Sequence, residues 1–160
     1  MGDAPANPII EPPRGMYPAK LDDKGRVKVP QAFVRFLDSL PEKTLFVTSL
    51  DRRIAQIYPI AIWRQNEAFF ESYTANPEVA ANVAFNAADL GAETEMDGQG
   101  RIVFSPELRR ELGIENSPVK LFAHKGRIEV LSEAIYEERR QKASAKPSDD
   151  VRTLEAAGLK

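Results

Sequence analysis

The sequence predicts an α+β fold built from two copies of one unit, in which two short strands flank a tight turn and a short helix follows. The main observation is a repeated motif, Asp-x-x-Gly-Arg, which stands at residues 22–26 and again at residues 97–101, an offset of 75 residues. An apolar residue follows each arginine, and a proline stands a few residues further on in both places. Self-similarity of this kind indicates a duplicated supersecondary unit before any propensity is considered.

The composition is that of an ordinary globular chain. It has 160 residues, of which 42% are apolar, enough for one compact domain or two small units that share a core. Cysteine is absent, which excludes disulfides, thiolate metal sites and cysteine nucleophiles. The formal net charge of −2 and the pI of about 5.6 argue against an indiscriminate polyanion binder, because such proteins are normally strongly basic. Any role in nucleic-acid binding must therefore come from local basic patches.

The predicted organisation along the chain begins and ends with polar arms. The N-terminal stretch is rich in proline and lacks both the apolar core of a signal peptide and a membrane-spanning run, so we expect a disordered arm and a cytoplasmic protein. The last residues are charged and contain Pro147, which favours a flexible tail. The predicted parts are a disordered arm (1–14), a first repeat (15–75), a connecting helix (76–91), a second repeat (92–140) and a flexible charged tail (141–160).

The first repeat predicts a hairpin and then a helix. Residues 16–21 and 27–29 alternate between apolar and polar side chains, and the motif between them has turn chemistry. Gly25 supplies a positive φ at little steric cost, and Asp22 can accept hydrogen bonds from the backbone amides of the turn. Pro30 suits the first turn of a helix, in which apolar residues follow at i, i+3, i+4 and i+7. Further along, the sequence predicts strands at 44–48 and 54–58 and a second helix that begins at Pro59.

The second repeat predicts the same order of elements. Strands at 93–96 and 102–104 flank the second motif, which again has turn chemistry. Ser105 and Pro106 suit the N-cap and the first position of a short helix, which Gly113 ends. A later hairpin is predicted, with strands at 119–123 and 127–131.

The positive charges gather around the two motifs and away from the acidic stretches, which predicts a polarised surface. The planar guanidinium of Arg26 or Arg101 can grip a phosphate or bond the O6 and N7 atoms of guanine, and a paired carboxylate holds it in one rotamer. The other interpretation is that each Asp only caps its turn and pairs with its Arg, a contact worth about 0–1 kcal/mol when exposed. The basic residues near the motifs are Arg14, Lys20, Lys24, Arg26, Lys28, Arg101, Arg109 and Arg110.

No pattern in the sequence indicates catalysis or cofactor binding. His124 is the only histidine, and without cysteine or a second imidazole it makes a poor transition-metal site. The phosphate-binding motifs G-x-x-x-x-G-K-[ST] and G-x-G-x-x-G are missing. We therefore predict that the protein is not an enzyme and that it has no catalytic residue, metal or cofactor.

The two motifs with their flanks, D-K-G-R-V-x-V-P and D-x-Q-G-R-I-x-x-x-P, each before a short helix, resemble the MraZ family of bacterial transcriptional regulators. The likeness runs from about Gly15 to Arg139. It implies two tandem AbrB-like swapped-hairpin half-domains that form one pseudo-two-fold, β-barrel-like unit with flanking helices. It also implies sequence-specific binding of double-stranded DNA at promoter repeats near cell-division and cell-wall genes, by a ring-like homo-oligomer associated with the nucleoid.

In this resemblance the Asp-x-x-x-Arg pairs mark the DNA-binding face. The arginines are then expected to reach base edges or phosphates, the aspartates to hold them, and the lysines to anchor the DNA backbone. No membrane partner and no small-molecule substrate are expected. An alternative is an oligomeric protein-interaction module on the same scaffold, in which the Asp–Arg pairs are purely structural. The predicted DNA-binding residues are Asp22, Arg26, Asp97, Arg101, Lys20, Lys24, Lys28 and Arg14.

Overall fold

The structure of the protein is a computed structural model that describes residues 10–160. Within these residues it is a mixed α+β fold, as predicted. The strands are β1 (Met16–Lys20), β2 (Arg26–Lys28), β3 (Leu45–Thr48), β4 (Ala55–Pro59), β5 (Ala92–Thr94), β6 (Arg101–Val103), β7 (Pro118–His124) and β8 (Arg127–Ser132). The helices are α1 (Gln31–Asp38), α2 (Ile60–Ser72), α3 (Pro77–Leu90), α4 (Pro106–Leu112), α5 (Glu133–Ala143) and α6 (Pro147–Ala157).

The strands form one six-stranded sheet and one two-stranded ribbon. The order in the sheet is β1-β7-β8-β4-β3-β5, and the ribbon pairs β2 with β6; all pairs are antiparallel. Exchanging each strand for its equivalent in the other copy (β1 for β5, β3 for β7, β4 for β8) reads the same order backwards. The two copies are therefore related by an approximate two-fold axis that passes through the ribbon and through the β4–β8 pair.

The hairpin predicted around each motif does not form as a local pair of strands. β1 pairs with β7 and β2 pairs with β6, so the strands on either side of the first motif belong to different sheets. Only a bridge between Leu21 and Val27, and a hydrogen bond from the Asp22 amide to the Arg26 carbonyl (2.9 Å), remain at the base of the turn. Period-two alternation identifies a strand but not its partner, because the partner is chosen by burial of both strands in a common core.

The six-stranded sheet is open, which corrects the expected barrel-like closure. Its edge strands are β1 and β5, and no pairing between them closes the sheet within residues 10–160. The ribbon instead covers one face of the sheet together with α1 and α4. Val27 and Ile102 of the ribbon are fully buried in this core, beside Phe33 of α1 and Leu108 of α4. The swapped connections thus bury both copies in one core.

The opposite face of the sheet carries a second apolar cluster beneath α2 and α3. Tyr58, Ile60, Trp63 and Ala87 are its buried members. The ring of Phe46 stacks on Trp63 with centroids 4.7 Å apart. Trp63 and Phe70 of α2 therefore serve packing here, whereas Phe69 is 55% exposed.

Several predicted helix boundaries are confirmed, because their signals are local. Ser105 caps α4 by accepting a hydrogen bond from the Leu108 amide (3.2 Å), and Gly113 ends this helix with a φ of +63°. Asn76 caps α3, which lies where the sequence predicts a helix between the repeats. Pro30 differs slightly, since it precedes the first helical residue of α1 and does not lie within the helix.

The two ends of the chain differ in how far the structure describes them. The predicted arm 1–14 lies largely outside the described residues; residues 10–14 form no strand or helix, and the Ile10 amide donates to Ser39 Oγ (3.1 Å). The predicted tail contains a helix, α6, which the sequence does not predict and whose side chains are all exposed. The division into repeats and arms stays a prediction. Among residues 10–160, no helix combines the length and the apolar character that a bilayer crossing requires.

Candidate nucleic-acid interface

The first motif is a tight turn held by one carboxylate. Asp22 Oδ1 accepts hydrogen bonds from the backbone amides of Lys24 (2.9 Å) and Arg26 (2.8 Å). Asp22 Oδ2 accepts from Arg26 Nε (2.8 Å), which leaves both terminal nitrogens of the guanidinium out of this contact. The backbone hydrogen bond from Arg26, helped by its guanidinium, lowers the pKa of the Asp22 carboxyl. The predicted Asp–Arg pairing is confirmed in this turn.

The second motif repeats this geometry closely. Asp97 Oδ1 accepts from the amides of Gln99 (2.9 Å) and Arg101 (2.9 Å), and Asp97 Oδ2 accepts from Arg101 Nε (2.8 Å). The backbone hydrogen bond from Arg101 is again the main cause of a lowered pKa for the Asp97 carboxyl. The side chains of Arg26 and Arg101 are each 27% exposed, so the two sites are equally accessible.

The ribbon places both arginines on the same face. In the β2–β6 register, Arg26 is opposite Val103 and Lys28 is opposite Arg101. The residues between them, Val27 and Ile102, point into the core, so the four others point outward. Arg26 and Arg101 are diagonal neighbours on this face, a relation that sets two residues roughly 7–8 Å apart. The structure therefore brings the two predicted guanidiniums together on one exposed surface, which we call the ribbon face: Arg26, Lys28, Arg101 and Val103.

Each turn is also tied to the strand of the other copy. The carbonyl of Gly25 accepts from the Phe104 amide (2.8 Å), and the carbonyl of Gly100 accepts from the Val29 amide (2.9 Å). The two glycines have φ values of +77° and +76°, which L side chains adopt only at a cost. The interlocked copies thus fix the turns on which the arginines stand.

Arg109 supports the first turn, a role that its position near the motifs in the sequence does not indicate. Its Nη1 atom donates to the carbonyls of Lys24 (3.2 Å) and Phe104 (3.1 Å), so helix α4 of the second copy holds the first turn. The guanidinium lies where a Cβ on Gly25 would stand. At the equivalent place under the second turn, Val34 of α1 lies 3.1 Å from the Cβ position of Gly100. No sequence signal predicts the Arg109 contact, because it joins residues 85 positions apart.

The lysines make the first motif more basic than the second. Lys20, Lys24 and Lys28 are all exposed, at the end of β1, in the turn and on the ribbon face. At the corresponding offset of 75 residues the second copy has Glu95, Gln99 and Val103. The surface is therefore basic around one turn and nearly neutral around the other.

Arg14 is the predicted site residue that the structure does not bring to the ribbon. It lies before the start of β1, whereas the first turn follows the end of that strand. Its guanidinium pairs with Glu11 at 3.0 Å, which reduces the local positive charge.

His124 lies exposed at the end of β7. No group of three or more acidic or histidine side chains within residues 10–160 is arranged to hold a metal ion.

The fold and this surface define a class of protein: an α+β tandem repeat that presents two carboxylate-braced arginines on a two-stranded ribbon. No protein-family model matches the chain. Similar proteins are nevertheless found, among them several named "Transcriptional regulator MraZ". The one from Corynebacterium kroppenstedtii is 37% identical over 107 residues, covering 66% of this chain and 71% of the relative. The one from Nitrosospira multiformis is 36% identical over 110 residues, covering 66% and 72%.

A more distant relative extends the likeness over nearly the whole chain. The MraZ of Acidobacterium capsulatum is 27% identical over 146 residues, covering 91% of this chain and 99% of the relative. This chain belongs to the MraZ family. The resemblance predicted from the two motifs is thereby confirmed.

Proposed function

We propose that the protein is a DNA-binding transcriptional regulator without catalytic activity, which binds promoter repeats near cell-division and cell-wall genes through its two Asp–Arg turns. The observation that supports this most directly is the common orientation of Arg26 and Arg101 on the ribbon face. The relatives at 36–37% identity carry the name of transcriptional regulators, which supports the same function. The two halves are of the AbrB-like swapped-hairpin type in this proposal, consistent with the pairing of β2 with β6.

The geometry suits reading of the major groove. A two-stranded antiparallel ribbon fits a groove about 12 Å wide, and ribbon-type readers of this groove are known. Each aspartate holds Nε of its arginine and so fixes the direction of the guanidinium, while the terminal nitrogens are left for base edges or phosphates. Because the two arginine side chains are already ordered in the free protein, less conformational entropy is lost when they bind DNA.

The two turns have different tasks in this proposal. Lys20, Lys24 and Lys28 bind phosphates around the first turn and position the protein on the duplex. Val103, which is 48% exposed at the position equivalent to Lys28, presents a methyl surface suited to the C5-methyl group of thymine. The DNA segments under the two turns are therefore expected to differ in sequence. Because Arg14 does not lie on the ribbon, it contributes only a peripheral phosphate contact in this proposal.

Binding by one protomer is weak in this proposal, because one ribbon offers few cations on a chain of net charge −2. A ring-like homo-oligomer presents several ribbons to a set of repeats, and linked sites of this kind raise the affinity without new contacts. Such a regulator works in the cytoplasm, on the nucleoid.

The proposal is tested by fluorescence anisotropy with a labelled duplex from upstream of the protein's own gene, at two salt concentrations. The Arg26→Ala/Arg101→Ala variant is expected to lose specific binding and to show a shallower salt dependence, by roughly 0.9 in the logarithmic slope for each phosphate that is no longer neutralised. Arg64→Ala is the matched control, since Arg64 also pairs with a carboxylate, Glu42, but lies on α2 away from the ribbon. Equal affinity of the double variant and the wild type at both salt concentrations would refute the proposal.

The alternative, a protein-interaction module, is favoured by one observation. Each arginine side chain is only 27% exposed and is already bonded within its own turn. If the pairs are purely structural, Arg26→Ala lowers the melting temperature and leaves binding to DNA and to partners unchanged. Measuring melting and anisotropy on the same preparations separates the two functions.

A further inference from the structure

An apolar groove lies between α5 and the half of the sheet formed by β1, β7 and β8. Its volume is about 340 Å³, and its apolar floor comes from strands β1, β7 and β8, from helix α5 and from Ile54 just before β4. Arg139 and Arg140 lie at its rim, and only Arg140 has an ion-pair partner within residues 10–160. We call this cavity the α5 groove; its apolar lining is Met16, Ile54, Phe122, Leu131, Tyr136 and Ala143.

The approximate two-fold axis shows what covers the equivalent surface in the first copy. The β4–β8 register pairs Gln56 with Glu129, which relates the two strands by an offset of 73 residues. By this relation Leu131 corresponds to Tyr58 and Tyr136 corresponds to Trp63. These two first-copy residues lie under α3, whose Ala87 is only 1% exposed in the same cluster. The α5 groove is therefore the surface on which the second copy has no counterpart of α3.

The α5 groove and the surface under α3 differ in shape, and the difference indicates what kind of helix fits the α5 groove. The residues of α3 that meet the aromatic surface include the small Ala84 and Ala87. The buried Ala80 extends this alanine stripe to a spacing of i, i+4 and i+7. In the second copy, Leu131 replaces Tyr58 and Tyr136 replaces Trp63, so the floor is lower. A helix with larger apolar residues at the same spacing fits such a floor. Helix α6 has this stripe, at Pro147, Val151 and Leu154.

Charge and loop conformation agree with α6 as the occupant. On an α-helix, Asp150 and Glu155 flank the stripe on either side, opposite in sign to Arg139 at the rim. In the first copy, Arg52 has a φ of +62° and holds α3 through Asp89 (2.7 Å). Its counterpart, Lys125, has a φ of +54° and is exposed. The second copy thus has a cation, Lys125, at the place where the first copy uses Arg52 to hold α3.

We propose that helix α6 of a second copy of this chain occupies the α5 groove, so that protomers join head to tail. In the structure α6 does not lie on its own groove, and its Val151 and Leu154 are 47% and 57% exposed. The chain that enters β1 runs past α1, where Ile10 contacts Ser39, on the other face of the sheet. A head-to-tail contact joins different surfaces of two protomers and closes into a ring when the rotation permits. This deepens the homo-oligomer part of the proposed function and is independent of DNA contact.

The first experiment measures the mass of the full chain by light scattering without DNA. Wild type is expected to be an oligomer, and Leu154→Asp is expected to reduce it to monomer, with unchanged circular dichroism because Leu154 is exposed. Ala156→Asp, on the opposite side of α6, is the matched control and keeps the oligomer. A monomeric wild type, or an oligomer unaffected by Leu154→Asp, overturns the proposal. The proposal is also overturned if deletion of residues 1–9 reduces the oligomer to monomer, because that segment would then be the occupant of the α5 groove.

The second experiment identifies the chain that supplies the helix. The protein has no cysteine, so single cysteines can be introduced cleanly. In the first copy Thr48 Oγ1 donates to the Ala87 carbonyl. Thr48 is the strand partner of Gln56, and Phe122 is the strand partner of Glu129, so Phe122 is the counterpart of Thr48. The spacing of the two helical stripes makes Leu154 the counterpart of Ala87. Co-expressed Leu154→Cys and Phe122→Cys chains are expected to form a disulfide-linked dimer on oxidation, whereas Ala156→Cys with Phe122→Cys is not.

An intramolecular link in the Leu154→Cys/Phe122→Cys double variant, without dimer in the co-expressed pair, would show that α6 folds back on its own groove and overturn the proposal. Failure here is distinguishable from failure of the proposed function. Arg26→Ala/Arg101→Ala is expected to keep the oligomer and lose DNA, since the ribbon face and the α5 groove involve different residues.

Discussion

Replacing Gly25 with alanine tests how the first turn is held, because the equivalent replacement of Gly100 provides an internal control. Both glycines have nearly the same positive φ, +77° and +76°. Their surroundings differ, since the Arg109 guanidinium lies where the new Cβ would stand at Gly25, whereas at Gly100 the nearest atom is a methyl of Val34 at 3.1 Å.

The difference in cost follows from these surroundings. A left-handed conformation costs an L residue roughly 1–2 kcal/mol, and this applies to both variants. At Gly25 the side chain of Arg109 must also move, and its hydrogen bonds to the Lys24 and Phe104 carbonyls are broken. At about 1 kcal/mol for each bond, Gly25→Ala is expected to lower the free energy of unfolding by about 3–4 kcal/mol, and Gly100→Ala by about 1–2 kcal/mol.

Urea unfolding at one protein concentration, followed by circular dichroism, measures both values. A double-mutant cycle tests whether the loss comes from Arg109. Arg109→Ala alone is expected to lower the free energy of unfolding by about 2 kcal/mol. In the Gly25→Ala background the guanidinium is already displaced, so the same substitution is expected to lower it no further. Equal losses for the two glycine variants, or full additivity of Gly25→Ala and Arg109→Ala, would contradict the role given to Arg109.

Three further outcomes are expected. Thr48→Val leaves a buried carbonyl of α3 without its donor and should cost about 1–3 kcal/mol in urea unfolding, whereas no loss would mean that α3 is not held there. Gln56→Glu replaces the amide that donates to the buried Glu129 by a second carboxylate, so it should cost about 1–3 kcal/mol in urea unfolding, and no loss would contradict the contact. The lowered pKa values of Asp22 and Asp97 mean that their contribution to stability is present above their ordinary pKa of 3.8 and is lost as the pH falls below it. The Asp22→Asn/Asp97→Asn variant should therefore be less stable than wild type at pH 7 and approach it below about pH 4, whereas parallel pH profiles would show that the carboxylates carry no such linkage.

The parts of the fold that the sequence predicts well depend on neighbours within a few residues. The caps of α3 and α4 are hydrogen bonds between a side chain and an amide three positions later, so Asn76 and Ser105 act within the span of a local pattern. Helix α6 is not predicted, although Pro147 and two acidic residues mark its start, because its charged composition and lack of a buried face resemble a tail.

The candidate site divides in the same way. The local sequence is enough to specify the chemistry of each turn, because the carboxylate, the glycine and the arginine that form it are at most four residues apart. Long-range packing selects the pairing of β2 with β6, the common face of both arginines and the support of the first turn by Arg109. These contacts join residues about 75 to 85 positions apart, and burial of Val27 and Ile102 in a shared core favours them. Local patterns cannot encode that selection, since the same alternating strands could bury their apolar side chains against several partners.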